Sequence, residues 1–195
     1  MRIQLFAIAA SAALLCGPAT AAADWQKVSL KNNITIEVPA AVGQNYIPTK
    51  PDAEQGALMA YILRHSDGYT GCWLSKLPYT AQFTRQTAVA HLAVKQRICN
   101  AFNQDAGKLH VVQWGPKMSN GQPAAGCVFS YPLAAGDARG GTNQNMMVVA
   151  PDNAYLLLCL VRAHSQADAE KQWSATWAGP FGHIQQSLHL PNAKP

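Results

Sequence analysis

The chain has 195 residues, of which 49% are hydrophobic, and it carries a formal net charge of +5. This apolar share excludes an intrinsically disordered protein, and the length suits one domain with a core of its own. The lysines and arginines are scattered along the sequence rather than grouped, so the positive charge does not predict a nucleic-acid partner.

The N-terminus has the three parts of a secretory signal peptide. Arg2 supplies the positive start, residues 5–15 form an apolar core, and small residues follow from position 18 onward. A signal peptidase reads such small residues, so we expect cleavage near Ala21 to Ala23. The sequence therefore predicts a signal peptide over residues 1–23.

The rest of the chain is expected to be one domain over residues 24–190, with a disordered tail at residues 191–195. No segment after the signal peptide approaches the run of about 20 apolar residues that spans a bilayer, so we expect no membrane span. The predicted localisation is periplasmic or secreted.

Cysteine usage fits an oxidising compartment. Four cysteines follow the signal peptide: Cys72, Cys99, Cys127 and Cys159. Their even number predicts two structural disulfides, and their wide spacing matches neither a zinc knuckle nor a redox C-x-x-C motif. Cys16 offers the alternative of a lipid anchor, but Leu15 stands where a small residue should precede a lipidated cysteine.

The first half of the domain is predicted to form two β-hairpins and a helix. The expected strands cover residues 27–30, 34–38, 57–64 and 69–77. Asn32-Asn33 and Ser66-Asp67-Gly68 are typical hairpin turns, while residues 43–55 contain two prolines and are interpreted as a loop. Thr84 can cap a single helix that runs to about residue 103.

The second half is predicted to form four strands and then helices. The expected strands cover residues 109–114, 124–131, 144–149 and 154–162. Residues 137–142 are rich in glycine and are interpreted as a mobile loop. Ser165 can cap the next helix, with Asp168 at its third position, and Pro180 is predicted to open a final short helix.

This element order predicts an α+β domain with a largely antiparallel sheet of six to eight strands flanked by helices. Trp173 and Trp177 lie four residues apart, which places them on one helix face. Core packing against the sheet is one interpretation, and an aromatic-lined groove for a ligand or partner is the other.

Strand spacing also limits the disulfide pairing. If the strands over residues 124–131, 144–149 and 154–162 form a meander, two strand spacings separate Cys127 from Cys159. That distance is roughly 9–10 Å, beyond the roughly 7 Å between Cα atoms that a disulfide can bridge. Cys127 is therefore not expected to bond to Cys159, which leaves two pairings open, and of these we choose Cys99–Cys127 with Cys72–Cys159 as the prediction.

Several segments resemble the Mog1/PsbP-like family. They are residues 25–30 (WQKVSL), residues 34–39 (ITIEVP), residues 155–161, Trp173, and residues 181–188 with the pattern F-x-x-I-x-x-S-L. The resemblance covers about residues 24–190 and implies an α/β/α sandwich, here as an exported bacterial member. The four cysteines depart from the family's usual pattern.

Function is constrained mainly by what the sequence lacks. We find no catalytic, cofactor-binding or metal-binding motif, and the family resemblance implies adaptors, binding modules or assembly subunits rather than enzymes. The expectation is an exported non-catalytic binding or accessory protein whose partner is an unknown protein or small molecule. The alternative is a cell-wall-related hydrolase, or an inhibitor of such an enzyme, with its site in a loop such as residues 137–142.

Overall fold

The computed structural model describes residues 24–30, 33–40, 46–49, 57–65, 68–99, 109–119, 121–132 and 139–191; of residues 46–49, 57 and 59–65 it describes the backbone alone. The strands are β1 Trp25–Ser29, β2 Thr35–Pro39, β3 Tyr46–Thr49, β4 Ala57–His65, β5 Gly68–Pro78, β6 His110–Ser119, β7 Gln122–Pro132, β8 Gly140–Val149 and β9 Asn153–Ala163. The helices are α1 Arg85–Leu92, α2 Lys95–Cys99, α3 Gln166–Gln172 and α4 Ala178–Ser187, with a π-helical turn at Trp173–Trp177 between the last two.

Seven of these strands form one antiparallel sheet in the order β3-β4-β5-β9-β8-β7-β6. The remaining two, β1 and β2, form a separate antiparallel hairpin whose turn contains Asn33 with a φ of 58°. Asparagine tolerates this left-handed conformation, as a tight turn requires. The expected fold class, an α+β domain with a largely antiparallel sheet of six to eight strands, is confirmed.

Each face of the large sheet is covered by helices, so the protein has three layers. On β8, Met146 and Val148 point to a core shared with α4 and the β1–β2 hairpin, whereas Met147 and Val149 point to a core shared with α1 and α2. Because a strand alternates its side chains between two faces, every residue of β8 is buried. The two cores thus meet at the central strands, as an α/β/α sandwich requires.

One disulfide lies on each face of the sheet. Cys72 and Cys159 are register partners on β5 and β9 with their Cα atoms 4.1 Å apart, and Cys99 of α2 is bonded to Cys127 of β7. Strand β8 lies between β7 and β9 and separates Cys127 from Cys159. This is the pairing chosen from the sequence, and it agrees with the exclusion of a Cys127–Cys159 bond by strand spacing.

The loop prediction for residues 43–55 is wrong in part. Residues 46–49 form strand β3, which pairs with β4 at one end of the sheet. Pro48 lies in this strand, where it lacks an N–H to donate, and edge strands are the part of a sheet that tolerates such a loss.

The single helix predicted from Thr84 to residue 103 is broken. Thr84 caps α1 as expected, but the helix ends at Leu92, and α2 begins at Lys95. The amides of Ala93 and Val94 donate to carbonyls only three residues back, at 3.3 and 3.0 Å, which tightens the turn and ends the α-helical ladder. Residues 100–103 lie outside the described residues.

The glycine-rich loop predicted at residues 137–142 is wrong from residue 140 onward. Gly140 and Gly141 open strand β8, and a Cβ atom on Gly140 would lie 2.3 Å from the Cα atom of Gln166. Glycine serves there to let α3 approach the strand closely, rather than to make the backbone mobile.

The final helix does not begin at Pro180. Ser165 caps α3 by accepting a hydrogen bond from the Asp168 amide, as expected, but the chain then continues through the π-helical turn into α4. Pro180 is the third residue of α4. Proline has no N–H to donate to the carbonyl four residues back, and its ring crowds that carbonyl. The wider π-helical turn before Pro180 relieves this crowding.

Candidate functional site

A cleft of about 470 Å³ separates the β1–β2 hairpin from α4 and the segment after it. Its lining residues are Lys27, Thr35, Glu37, His183, Gln186, Ser187 and His189. We call this space the hairpin cleft. Its lining combines a lysine, a glutamate and two histidines with hydroxyl and amide groups, so it offers both donors and acceptors of hydrogen bonds.

The alternation of the hairpin places polar groups in this cleft. Ile36 and Val38 are buried in the core, and the intervening Glu37 therefore faces outward, opposite Lys27 on the neighbouring strand. On the other side, His183 and Ser187 lie four residues apart on α4 and so share one helix face. The cleft follows from these two periodicities.

An imidazole–carboxylate pair bridges the cleft. His183 Nε2 lies 2.7 Å from Glu37 Oε2, and both side chains are 39% exposed. The ring of Trp25 stacks on the His183 ring with centroids 3.8 Å apart and planes 24° from parallel. The imidazole is therefore held between an aromatic face and a carboxylate, while solvent still reaches it.

Backbone contacts fix the hairpin to the C-terminal segment. The Glu37 amide donates to Ser187 Oγ at 2.9 Å, and Ser187 Oγ donates to the Ile184 carbonyl at 3.0 Å. Thr35 and His189 exchange backbone hydrogen bonds of 3.0 and 2.8 Å. The Ser187 hydroxyl is engaged with main-chain groups rather than with the His183 ring, so this arrangement suits polar recognition better than nucleophilic catalysis.

A second polar cluster lies where α3 meets the sheet. Glu170 Oε1 is 3.0 Å from His110 Nδ1 and also accepts a hydrogen bond from Ser130 Oγ. Ser130 Oγ in turn accepts a hydrogen bond of 2.8 Å from Gln166 Nε2. The hydrogen bond from Ser130 and then that from His110 lower the pKa of the Glu170 carboxyl.

This serine–histidine–glutamate set is not arranged for acyl transfer. A catalytic serine must donate to the imidazole and face the substrate. Ser130 is instead fully buried, and both Ser130 and His110 contact the same carboxylate oxygen. The cluster joins α3 to strands β6 and β7.

The predicted aromatic pair has only partly the expected setting. Trp173 and Trp177 are half-buried and pack against the core beneath α4, and Trp177 also stacks on Phe181 with centroids 5.7 Å apart. Trp173 Nε1 donates to Gln144 Oε1 at 3.2 Å. Neither tryptophan lines the hairpin cleft, and an aromatic groove at these residues stays a prediction.

The sequence did not single out the residues that form the hairpin cleft. The alternation of apolar and polar residues in the hairpin could have identified Glu37 as an outward-facing side chain. His183 is 146 positions away, and no local sequence pattern relates it to Glu37. Asp168 lies at the cap of α3, as predicted, whereas Glu170, two residues further on, contacts the sheet. Within the described ranges, no three histidine, cysteine, aspartate or glutamate side chains are grouped as metal ligands.

Comparisons with known proteins give the fold. Neither a family model nor a curated protein sequence matches the chain. The PsbP (CyanoP) structure from Synechocystis sp. PCC 6803 matches with a TM-score of 0.50 and 15% identity over 90% of this chain and 97% of that one. The Ran-binding protein Mog1p of Saccharomyces cerevisiae matches with a TM-score of 0.56 and 12% identity over 87% and 97%.

A point mutant of Mog1 also matches, with a TM-score of 0.57 and 12% identity over 87% of this chain and 97% of that one. The chain has the Mog1/PsbP-like fold. At these identities the likeness concerns the fold alone, and the site must be argued from its own residues.

In this Mog1/PsbP-like fold the hairpin cleft lies on one outer layer, between the small sheet and the last helix. Among the described helices, none has the length and apolar character needed to cross a bilayer.

Proposed function

We propose that this chain is an exported, non-catalytic binding or accessory protein that engages a polar partner at the hairpin cleft. The observation that carries this proposal is the solvent-accessible His183–Glu37 pair, which crosses a cleft otherwise lined by neutral polar groups and Lys27. Such a surface offers charge of both signs and directional hydrogen bonds, which favour recognition of a partner with matching groups.

The contacts of the reactive groups support binding rather than chemistry. The imidazole of His183 and the carboxylate of Glu37 are joined to each other, and the Ser187 hydroxyl is joined to the main chain. These groups position the hairpin against α4. A partner would then meet a preformed surface, which lowers the entropic cost of binding.

Export is supported by two independent features. The N-terminal 23 residues have the composition of a signal peptide, and the four remaining cysteines form two disulfides, which persist in oxidising compartments. The yeast protein that shares this fold is described as Ran-binding, so the scaffold serves protein recognition in at least one case.

Site-specific photocrosslinking tests the proposal. A photoreactive amino acid replaces Gln186 in the hairpin cleft or, as a control, the exposed Lys95 of α2 on the opposite face of the sheet. The full-length gene is expressed in a bacterial host, and mass spectrometry of the isolated chain is expected to show an N-terminus just after Ala21 or Ala23.

Irradiation in periplasmic extract is expected to give an adduct from position 186 that saturates and that excess unlabelled chain competes away. Position 95 should give no such adduct. Equal labelling from both positions, or none from position 186, would refute recognition at the cleft. An uncleaved chain that stays in the cytoplasm would refute export independently.

A further inference from the structure

Two glycines face each other on the outer strand pair of the large sheet. Gly115 of β6 and Gly126 of β7 are register partners, and they lie on the face that carries Ala124 into the core beneath α4. Because neither residue has a side chain, the two glycines form the floor of a slot of about 80 Å³ that is bordered by Gln113, Lys117 and Gln144. We call this space the glycine slot.

The fold requires only one of the two glycines. A Cβ atom on Gly126 would lie 2.9 Å from Lys117 Cε, so glycine there makes room for the lysine stem. A Cβ atom on Gly115 would meet nothing within 4 Å, and its backbone is not in the left-handed region. Glycine weakens a strand interior, and in such positions it marks a bulge, a tight bend, or the close approach of a ligand or of another backbone.

Lys117 brings a positive charge to the slot. Its Nζ atom donates to Gln185 Oε1 at 3.3 Å, and Gln144 Nε2 donates to the same oxygen at 3.0 Å. In the described part of the chain, no carboxylate oxygen lies within 4.0 Å of this ammonium. The Lys117 side chain is exposed overall, and partial burial of its amine lowers the pKa of that amine, so an anionic group in the slot would favour the charged form.

We propose that the glycine slot binds an anionic oxygen group, a carboxylate or a phosphate, of a small ligand. The Lys117 ammonium supplies the charge, and the side-chain amide of Gln113 on the same strand supplies a further donor. The slot has room for a group of a few non-hydrogen atoms, since one water occupies about 30 Å³ of liquid. Of the described residues that line the slot, Lys117 alone is charged.

The simpler role for Lys117 is protection of a sheet edge. β6 is a terminal strand, and inward-pointing lysines, prolines and bulges discourage edge-to-edge aggregation; β6 also has Pro116 and an irregular register between Val111 and Gln113. That role accounts for the lysine but not for the open space above Gly115. It predicts no saturable binding of anions, so the two roles can be separated by titration.

The test is a titration of the oxidised mature chain, followed by the backbone amide resonances of Gly115 and Gly126. The probes are sodium acetate and sodium phosphate, added at constant ionic strength against sodium chloride. At least one probe is expected to shift both resonances along a saturable curve. Lys117→Gln should weaken that binding by about tenfold or more, because the variant loses the hydrogen bond from a charged donor.

Gly115→Val provides the second variant, because it fills the slot without meeting another atom at Cβ. It is expected to abolish the saturable shift of the Gly126 resonance while the chain stays folded, and Lys76→Gln on β5 is the matched charge control that should bind as the wild type does. Linear, unsaturable shifts, or equal affinities for wild type and Lys117→Gln, would refute anion binding at the slot and leave edge protection as the role of Lys117.

Discussion

The Glu170 carboxylate shows how a single side chain can join two layers of this fold. It lies on α3, accepts hydrogen bonds from Ser130 on β7 and His110 on β6, and keeps its own side chain 35% exposed. These contacts stabilise the ionised form, which is why its pKa is lowered. The folded state therefore favours the carboxylate more than the unfolded chain does.

This preference predicts a pH-dependent contribution to stability. Because the folded pKa is depressed, the contribution is present above the unfolded value of about 4.5 and is lost as pH falls through the folded value. Glu170→Gln should lower the free energy of unfolding at pH 7 by about 1 kcal/mol, a value reduced by solvent screening. The loss should shrink in acid.

Urea unfolding at neutral pH and at about pH 3 measures both values for the wild type and Glu170→Gln. Asp152→Asn, which makes the same carboxylate-to-amide change at an exposed turn, is the matched control and should show a smaller effect. A destabilisation by Glu170→Gln that is as large in acid as at neutral pH would show that packing, not ionisation, is lost.

Residue contacts of this kind were only partly predictable. The order of three strands excluded a bond between Cys127 and Cys159, because a meander places these cysteines too far apart, but it left two pairings open. The Glu37–His183 pair and the contacts of Glu170 depend on how whole elements pack, and they join positions far apart in the chain. No local pattern marks them.

At the scale of elements, strand β8 is the one whose sequence misleads most. It begins with two glycines and continues with Thr142, Asn143, Gln144 and Asn145, all buried. Such a composition is typical of a loop. The strand forms because its polar side chains bond to both covering layers: Gln144 Nε2 donates to Gln185 of α4, and Asn145 Nδ2 donates to the Ile98 carbonyl of α2.

The glycines of β8 are explained by the same close packing, and this gives a prediction. A methyl group on Gly140 would meet backbone atoms of Gln166, which cannot rotate away as a side chain can. Gly140→Ala should therefore destabilise the protein by about 1–3 kcal/mol. Gly115→Ala, on a strand of the same sheet but with open space at Cβ, should be neutral or stabilising by up to about 1 kcal/mol.

Thermal and denaturant unfolding of the two alanine variants measure this contrast directly. Equal stabilities would mean that α3 shifts away from β8 at no cost in free energy.

The alternation of apolar residues had predicted most of the other strands, since a half-buried strand has a period of two. The glycine-led start of β8, before residue 144, and the proline-containing β3 escaped that analysis because their composition contradicts their tertiary setting.

At the scale of the molecule, the two disulfides connect different parts of the three-layer fold. Cys72–Cys159 joins two central strands and faces the layer of α4, and Cys99–Cys127 ties the short α2 to the opposite face. The order of elements, the antiparallel sheet and the layers were predictable because hairpin turns and helix caps are local signals. The separate two-stranded sheet and its cleft were not, since they depend on docking against α4.

The sequence separations of the two bridges predict an order of importance. Cys72 and Cys159 are 87 positions apart and enclose the second pair, which is 28 positions apart. With the inner bridge intact, the outer one still closes a loop of about 60 residues, so chain entropy gives it about 4.3 kcal/mol against about 3.6 kcal/mol for the inner one. Replacing both outer cysteines by alanine should therefore cost slightly more than replacing both inner ones.

Guanidinium unfolding of the two double-alanine variants, with the remaining bridge kept oxidised, measures both costs. A total stability of about 5–15 kcal/mol leaves either variant marginal, and the variant without both bridges is expected to be unfolded at 37 °C. If the inner pair proved the costlier by a clear margin, anchoring of α2 against the sheet, rather than restriction of the unfolded chain, would be the main contribution of that bridge.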